Sequence, residues 1–225
     1  MYLGIDTSAP ISFVAIGDGI KSFEATRPND GSAESRGSES VHLLAGEVLS
    51  RASQSWRDIQ GIYVGEGPGS FTGLRIGFGF AQGVALALKI SCQQISSFKA
   101  WSKEFWNQKE NLVVIADAQR GEYFCQIFSS AGDVLSEVRI VPGGDLVAYA
   151  QGIGGAGLHW IGFCDASAIG ITVERPKKVS SSLIELGVSL PKQSFSPLKI
   201  SELSPNYIRE VSARTLADRG KKIIP

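Results

Sequence analysis

Histidine and cysteine are scarce in this sequence. It contains three cysteines, Cys92, Cys125 and Cys164, and two histidines, His42 and His159. The odd number and wide spacing of the cysteines argue against a disulfide framework, and no cluster has the spacing of zinc ligands. We therefore predict reduced, mostly buried thiols, no metal site and a cytoplasmic location.

An excess of charge of either sign is also absent, because 22 basic residues balance 22 acidic ones. A surface that holds RNA by its phosphates needs an excess of Lys and Arg. If the protein acts on RNA, this chain is therefore not expected to supply most of the electrostatic binding affinity for it. No signal peptide and no apolar run of about 20 residues stand out, so no membrane association is expected. The 225 residues can bury a real core in one or two domains.

The common catalytic and phosphate-binding motifs fail at the glycine-rich segment 65–73. Ser70 has Pro68 and Thr72 at the positions where a nucleophile elbow requires glycine. The segment lacks the P-loop lysine, and Ser70 stands where the dinucleotide fingerprint requires a third glycine. Because Pro68 has no N–H to offer a phosphate, a structural strand–turn–helix corner is favoured.

A helix rich in glycine follows this corner and organises the rest of the chain. Each interior glycine costs a helix about 1 kcal/mol relative to alanine. The small residues form two ridges of fourfold spacing: Gly73, Gly77, Ala81 and Ala85 in one, and Gly79, Gly83 and Ala87 in the other. We expect this helix to be clamped closely by other elements, which can include a second chain.

The pattern of the first half is repeated in the second. A short apolar strand ends at Asp6 and is followed by a hairpin, and another ends at Asp117 and is followed by a hairpin. Phe13 corresponds to Phe124 at the same offset. Two unrelated hairpins would give this pattern too. The duplicated interpretation is the plan of the RNase H-like, actin-like fold.

The predicted elements become less regular after residue 128. Residues 134–141 are predicted as the third strand of the second unit, and residues 152–157 as a loop. A short amphipathic helix is predicted at 180–190, and an extended connection at 192–204.

Asp6 and Asp117 stand at strand ends, where actin-like enzymes hold a metal–nucleotide complex. An aspartate at such a position is more often a turn former. A vestigial nucleotide site at Asp6, Thr7 and Asp117 is one hypothesis. The competing hypothesis is an ATP-binding actin-like ATPase or small-molecule kinase that uses both aspartates.

Four segments resemble the TsaB family of accessory subunits for tRNA threonylcarbamoyladenosine synthesis. The most specific is residues 64–77, with Gly-Pro-Gly-Ser-Phe-Thr-Gly-Leu-Arg at its centre. Residues 3–8, 117–123 and 205–209 support it. The resemblance is strongest over residues 1–128 and thin afterwards.

This resemblance implies an α/β protein with a duplicated RNase H-like (actin-like ATPase, ASKHA) fold of two lobes. The N-terminal lobe, residues 1–108, is expected to bind the partner, and the C-terminal lobe, residues 109–225, is expected to be degenerate. It implies a non-catalytic scaffold that binds no cofactor itself. ATP and metal are expected on its partners, a TsaD-like paralogue that performs the transfer and a TsaE-like ATPase. The tRNA is reached through the complex, and the partner-binding surface can also form a homodimer.

The family pairs through helices of its first lobe, here residues 39–53 and 73–88. The implied interface residues are Val41, Leu44, Val48, Gly73, Arg75, Gly77, Phe80 and Gly83. Leucine at Gly77 or Gly83 is predicted to abolish partner binding while leaving much of the fold. The sequence departs from the family at Glu39-Ser40 and at Ala45-Gly46, where Gly46 interrupts the expected interface face.

Overall fold

The computed structural model of the chain describes residues 1–28 and 37–208, with residues 37–40 described by their backbone alone. Nine strands and six α-helices are found within these ranges. In chain order they are β1 (Tyr2–Asp6), β2 (Ile11–Gly17), β3 (Ser22–Pro28), α1 (Gly37–Arg51), β4 (Gly61–Gly65), α2 (Phe71–Leu88), β5 (Ser91–Ile95), α3 (Ser97–Lys103), β6 (Asn111–Asp117), β7 (Glu122–Phe128), β8 (Arg139–Pro142), α4 (Gly143–Gly154), β9 (Leu158–Gly162), α5 (Val179–Val188) and α6 (Pro197–Glu202).

The strands form two sheets that follow the same plan. The first has the order β3-β2-β1-β4-β5 and the second the order β8-β7-β6-β9. In both, the first three strands are antiparallel and the next strand joins the central one in parallel. The predicted duplicated RNase H-like fold is therefore confirmed. The pairing register of β1 with β2 differs by one residue from that of β6 with β7, because Asp6 faces Phe13 whereas Asp117 faces Tyr123.

Alternation along β1 and β2 divides the first lobe into two packed layers. Leu3 and Ile5 point to the face covered by α1 and α2. Ala15 points to the opposite face, where it packs with Leu183 and Ile184 of α5. Because side chains alternate along a strand, one hairpin supplies both layers of the core.

Three predictions for the second half are wrong. The third strand is confined to β8, because Leu135 and Ser136 both donate their N–H to the carbonyl of Ile127 and leave the regular ladder. Helix α4 runs into the segment predicted as a loop, since Leu146 and Ala150 anchor one face in the core. Helix α6 interrupts the predicted extended connection. Helix α5 matches its prediction within two residues.

The predicted boundary at residue 108 separates the two sheets, but the later helices return to the first lobe. Helix α5 packs on β1, β2 and β4, and α6 packs on α2. Gln82 of α2 holds α6 by donating to the carbonyls of Ile200 and Leu203. The first lobe is therefore completed by segments from the end of the chain.

The buried carboxylate of Glu24 joins β3 to α5. Its Oε2 accepts a hydrogen bond of 2.7 Å from the backbone N–H of Ser181, in the first turn of α5. Burial raises the pKa of Glu24 to about 7, although the amide and hydroxyl of Ser181 lower it in part and the nearby charge of Glu104 raises it further. The folded protein therefore holds a proton that the unfolded chain releases at a lower pH.

We expect the free energy of unfolding to fall by about 1–3 kcal/mol through this group as the pH rises from 5 to 8. The stabilisation is fully present below the unfolded pKa and is lost as the pH passes the folded value near 7. The measurement is urea unfolding of the wild type and Glu24→Gln at both pH values. The difference in the free energy of unfolding between the wild type and Glu24→Gln should change with pH. The free energy of unfolding of the exposed control Glu47→Gln should depend on pH as that of the wild type does. An unchanged difference would contradict the prediction.

Candidate functional site

The glycine-rich corner before α2 is closed by contacts within the chain. Ser70 donates its N–H to the carbonyl of Ser8 at 2.7 Å, and its hydroxyl caps α2 by accepting from the N–H of Gly73. Gly69 has φ +157°, and a Cβ there would lie 2.2 Å from the Ser8 carbonyl oxygen. The N–H of Gly67 donates to the Ser97 hydroxyl. These amides serve the turn and do not form a phosphate cradle.

The first small-residue ridge of α2 packs against this chain's own β1–β2 turn. The Thr7 hydroxyl donates to the carbonyl of Gly73 at 2.7 Å. A Cβ on Gly73 would lie 2.0 Å from the Thr7 carbonyl oxygen, and one on Gly77 would lie 2.3 Å from the Thr7 hydroxyl oxygen. Ala81 and Ala85 are fully buried on the same ridge. The close approach predicted for this ridge is therefore intramolecular.

The second ridge is open. Gly79 and Gly83 are exposed, and a Cβ on either would have no atom of the described residues within 4 Å. Leu43 on α1 is 51% exposed and Leu86 on α2 is 44% exposed. We call the exposed faces of these two helices, with Leu43, Gly79, Phe80, Gly83 and Leu86, the α1–α2 surface. Gly46 of α1 is exposed as well, and within the part of the chain that the structure describes no atom lies within 4 Å of its Cβ position.

The implied interface residues are divided between this surface and the interior. Those buried in the chain's own lobe are Val41, Leu44, Val48, Gly73 and Gly77. Burial makes these five unavailable for direct contact with a partner, which corrects the expectation for them. Phe80 is half-buried and Gly83 is exposed.

Arg75 lies at the other end of α2. It is exposed, its guanidinium stacks 3.9 Å from the centre of the Phe71 ring, and its Nε donates to the Tyr207 hydroxyl at 3.4 Å. Arg75 is thus tied to the end of the described chain. The side chains of Glu39 and Ser40, and all of Arg209, lie outside the described residues.

Sequence reasoning missed Leu43 and Leu86 as surface residues. Helical spacing identifies a face of α2 but does not tell which face the protein covers.

Helix α2 is also long and apolar enough, by length and composition alone, to cross a membrane, a test that core helices of globular proteins pass as well. Here its Gly73 and Gly77 side is packed on the first sheet.

Asp6 is sealed inside the first lobe. Its exposed fraction is 0%, and its Oδ1 accepts hydrogen bonds from the N–H and the hydroxyl of Ser8. Oδ2 has no hydrogen-bond partner among the described residues and is close to Ser97 and Trp101. Burial raises the pKa of Asp6, while Ser8 and then Ser97 and Trp101 lower it in part. Thr7 is buried beside it under Gly77.

Asp117 is exposed at the end of β6, but its carboxylate is already engaged. Oδ1 accepts from the N–H of Gln119 at 2.6 Å, and Oδ2 accepts from the Gln119 side-chain amide at 2.9 Å. Gln119 and Arg120 both have positive φ, 67° and 60°, and this carboxylate holds the turn in that uncommon conformation. Asp117 is the turn former that its position suggested.

A cleft of about 1140 Å³ lies between the lobes, lined by both hairpin turns and the start of α2. Asp117 lines this cleft, whereas Asp6 and Thr7 do not, so the three residues of the vestigial site do not come together. The charged groups around the cleft are Asp117, Glu122 and Asp165 against Arg120. Among the residues that the structure describes, no group of three or more His, Cys, Asp and Glu could hold a metal ion.

The two lobes share an aromatic core below the cleft. Phe13 of the first sheet packs on Phe163 with ring centres 5.4 Å apart, and Trp101 meets Phe163 edge-on at 4.9 Å. Phe98 and Phe128 are fully buried in the same cluster. A large apolar interface opposes relative movement of two lobes. The shared aromatic core therefore favours a fixed relative orientation of the two lobes.

Comparison with known proteins agrees with this architecture. Residues 31–203 match the family model described as TsaD, tRNA N6-adenosine threonylcarbamoyltransferase. The structure resembles YeaZ from Pseudomonas aeruginosa with a TM-score of 0.71, at 17% identity, over 92% of this chain and 99% of that one. This likeness concerns the fold.

Curated relatives match shorter parts of the chain. The TsaB protein of Haemophilus influenzae is 31% identical over 56% of this chain and 52% of its own length. That of Escherichia coli is 36% identical over 35% of each chain. The chain thus spans about half or less of these relatives in the matched regions. Because the family model matches residues 31–203, the chain belongs to the TsaD family, and the curated relatives that it resembles are TsaB proteins.

Proposed function

We propose that this chain is a non-catalytic scaffold subunit for tRNA threonylcarbamoylation. The modified base is the adenosine 3′ of the anticodon in tRNAs that read codons beginning with A. The chain acts by binding a TsaD-family protein and, with it, a TsaE-like ATPase. ATP and metal are held by those partners, and the assembly is cytoplasmic.

The open ridge of α2 is the observation that carries this proposal. Gly79 and Gly83 each cost the free helix about 1 kcal/mol, and no contact with the described residues requires their lack of a side chain. A second helix that packs closely against the ridge would require it. The exposed Leu86, three residues after Gly83 on the same helix, adds apolar surface beside the ridge.

The state of the two aspartates supports a scaffold over an enzyme. An actin-like kinase needs a carboxylate that reaches the nucleotide-bound metal in the cleft. Asp6 is covered on all sides, and both oxygens of Asp117 are held by Gln119. The fixed lobe joint also opposes the closure that such enzymes use to exclude water.

The direct test is light scattering of this chain mixed with the TsaD-family protein of the same organism. A stable one-to-one complex is expected, alongside a weak self-dimer of the free chain. The competing hypothesis of an ATPase or kinase predicts micromolar ATP binding by the isolated chain, lost in Asp6→Ala and Asp117→Ala. The absence of a complex would overturn the scaffold proposal, and such ATP binding would then support the competing hypothesis.

A further inference from the structure

The segment that leads into α5 displays three exposed cations. Arg175, Lys177 and Lys178 lie within four positions, and Pro176 between them is buried. Lys178 is the N-cap residue of α5, and Val179 after it is fully buried. The backbone of this segment is thus anchored on both sides of the cations.

A carboxylate from α3's end fixes the segment further. Glu104 Oε2 accepts from the N–H of Lys177 at 2.7 Å and from the N–H of Lys178 at 3.3 Å. The Glu104 charge is thus directed at the backbone amides of the segment. The structure holds the loop in place while its ammonium groups project into solvent.

The neighbouring carboxylates are already engaged. Glu174 lies 2.9 Å from His159, and Glu185 lies 3.0 Å from the ammonium of Lys103. Among the described residues, no ion pair includes Arg175, Lys177 or Lys178. Like charges placed together repel one another, so three such cations on one fixed loop favour a polyanionic partner.

The position of this loop leaves it free in the proposed complex. Helix α5 packs on the face of the first sheet that is opposite to α1 and α2. A partner on the α1–α2 surface would therefore not cover the loop. An RNA strand presents a phosphate charge at every nucleotide, which matches closely spaced cations in a way that a single carboxylate does not.

We propose that Arg175, Lys177 and Lys178 contact the phosphate backbone of RNA, and we call them the basic loop. The inference rests on the proposed function for its partner, the substrate tRNA. Three contacts make a supplementary site that orients the tRNA, which fits a chain with no net charge.

The test is a fluorescence anisotropy titration of a labelled, unmodified tRNA transcript with the complex of this chain and its TsaD-family partner. The triple variant Arg175→Glu, Lys177→Glu and Lys178→Glu should weaken binding at least tenfold. The slope of log K against log salt should become shallower by about 2–3, as expected for three lost phosphate contacts.

A matched triple variant controls for overall charge. Lys21→Glu, Arg139→Glu and Lys192→Glu change the net charge equally at exposed positions elsewhere. This control should bind tRNA within twofold of the wild type. Glu104→Ala keeps every cation and should weaken binding about two- to threefold by loosening the loop. Equal losses in both triple variants, or no loss in the basic loop variant, would overturn the proposal.

The same samples separate this inference from the scaffold proposal. Light scattering should show that the basic loop variant still binds the TsaD-family protein. If the wild-type chain forms no complex, the scaffold proposal fails, and the titration is then run with the isolated chain. Weaker tRNA binding by the basic loop variant, with unchanged binding by the control triple variant, would still support the RNA contact. The absence of RNA binding by the wild-type chain would refute it.

Discussion

Replacing Gly73 with alanine should lower the free energy of unfolding by about 3 kcal/mol, whereas the same change at Gly79 should raise it by about 0.5–1 kcal/mol. Both glycines lie in α2 and both changes add one methyl group. At Gly73 the added Cβ would lie 2.0 Å from the carbonyl oxygen of Thr7. This atom belongs to the backbone of a buried turn and cannot move aside without shifting β1.

The cost at Gly73 includes a hydrogen bond. The Thr7 hydroxyl donates to the Gly73 carbonyl, and separating the helix from the turn would stretch this bond. At Gly79 the methyl group meets no atom of residues 1–28 or 41–208 within 4 Å, so the helix gains only the better propensity of alanine. The opposite signs follow from one helix having a closed side and an open side.

Urea unfolding followed by circular dichroism of both variants provides the measurement. Gly152→Ala in α4 is a suitable reference, because that glycine is also exposed and its Cβ position has no neighbour within 4 Å among the described residues. It should behave like Gly79→Ala. Equal effects at Gly73 and Gly79 would show that the two ridges are not in different environments.

Much of the fold could be predicted from strand and hairpin patterns. The two units were visible because β1 and β6 are short apolar runs that each end in an aspartate and lead into a hairpin. Helix α4 was missed because glycines dominate its local signal, and α6 because its six residues are too few to show helical periodicity. Both helices are anchored by buried residues, Leu146 in α4 and Ile200 in α6. Tertiary contacts override propensity at these places.

The candidate site was predictable only in outline. Fourfold spacing in α2 identified two ridges, but the partner of Gly73 is Thr7, 66 positions away in the sequence. Nothing local to α2 reports that contact, so spacing alone could not separate the closed ridge from the open one. The basic loop was missed for another reason. Its three cations are close together in the sequence, but the sequence does not show that the backbone of this segment is fixed by Glu104 or that the cations form no ion pairs among the described residues.

Gly83→Leu should weaken binding to the TsaD-family partner at least 30-fold, which corresponds to about 2 kcal/mol or more. The free chain should tolerate the change, because none of the described residues has an atom within 4 Å of the Gly83 Cβ position. A leucine side chain there would hold a partner helix away from the ridge. Light scattering and titration calorimetry with the wild-type partner give the affinity.

The matched control is Gly152→Leu, which places the same side chain on an exposed helix face of the second lobe. It should leave the affinity unchanged. Gly77→Leu is not equivalent, because Gly77 faces the Thr7 hydroxyl inside the chain and the change would disturb the fold before it reached any partner. If Gly83→Leu is folded and binds as tightly as the wild type, the open ridge of α2 is not the contact surface, and the scaffold proposal loses the observation that carries it.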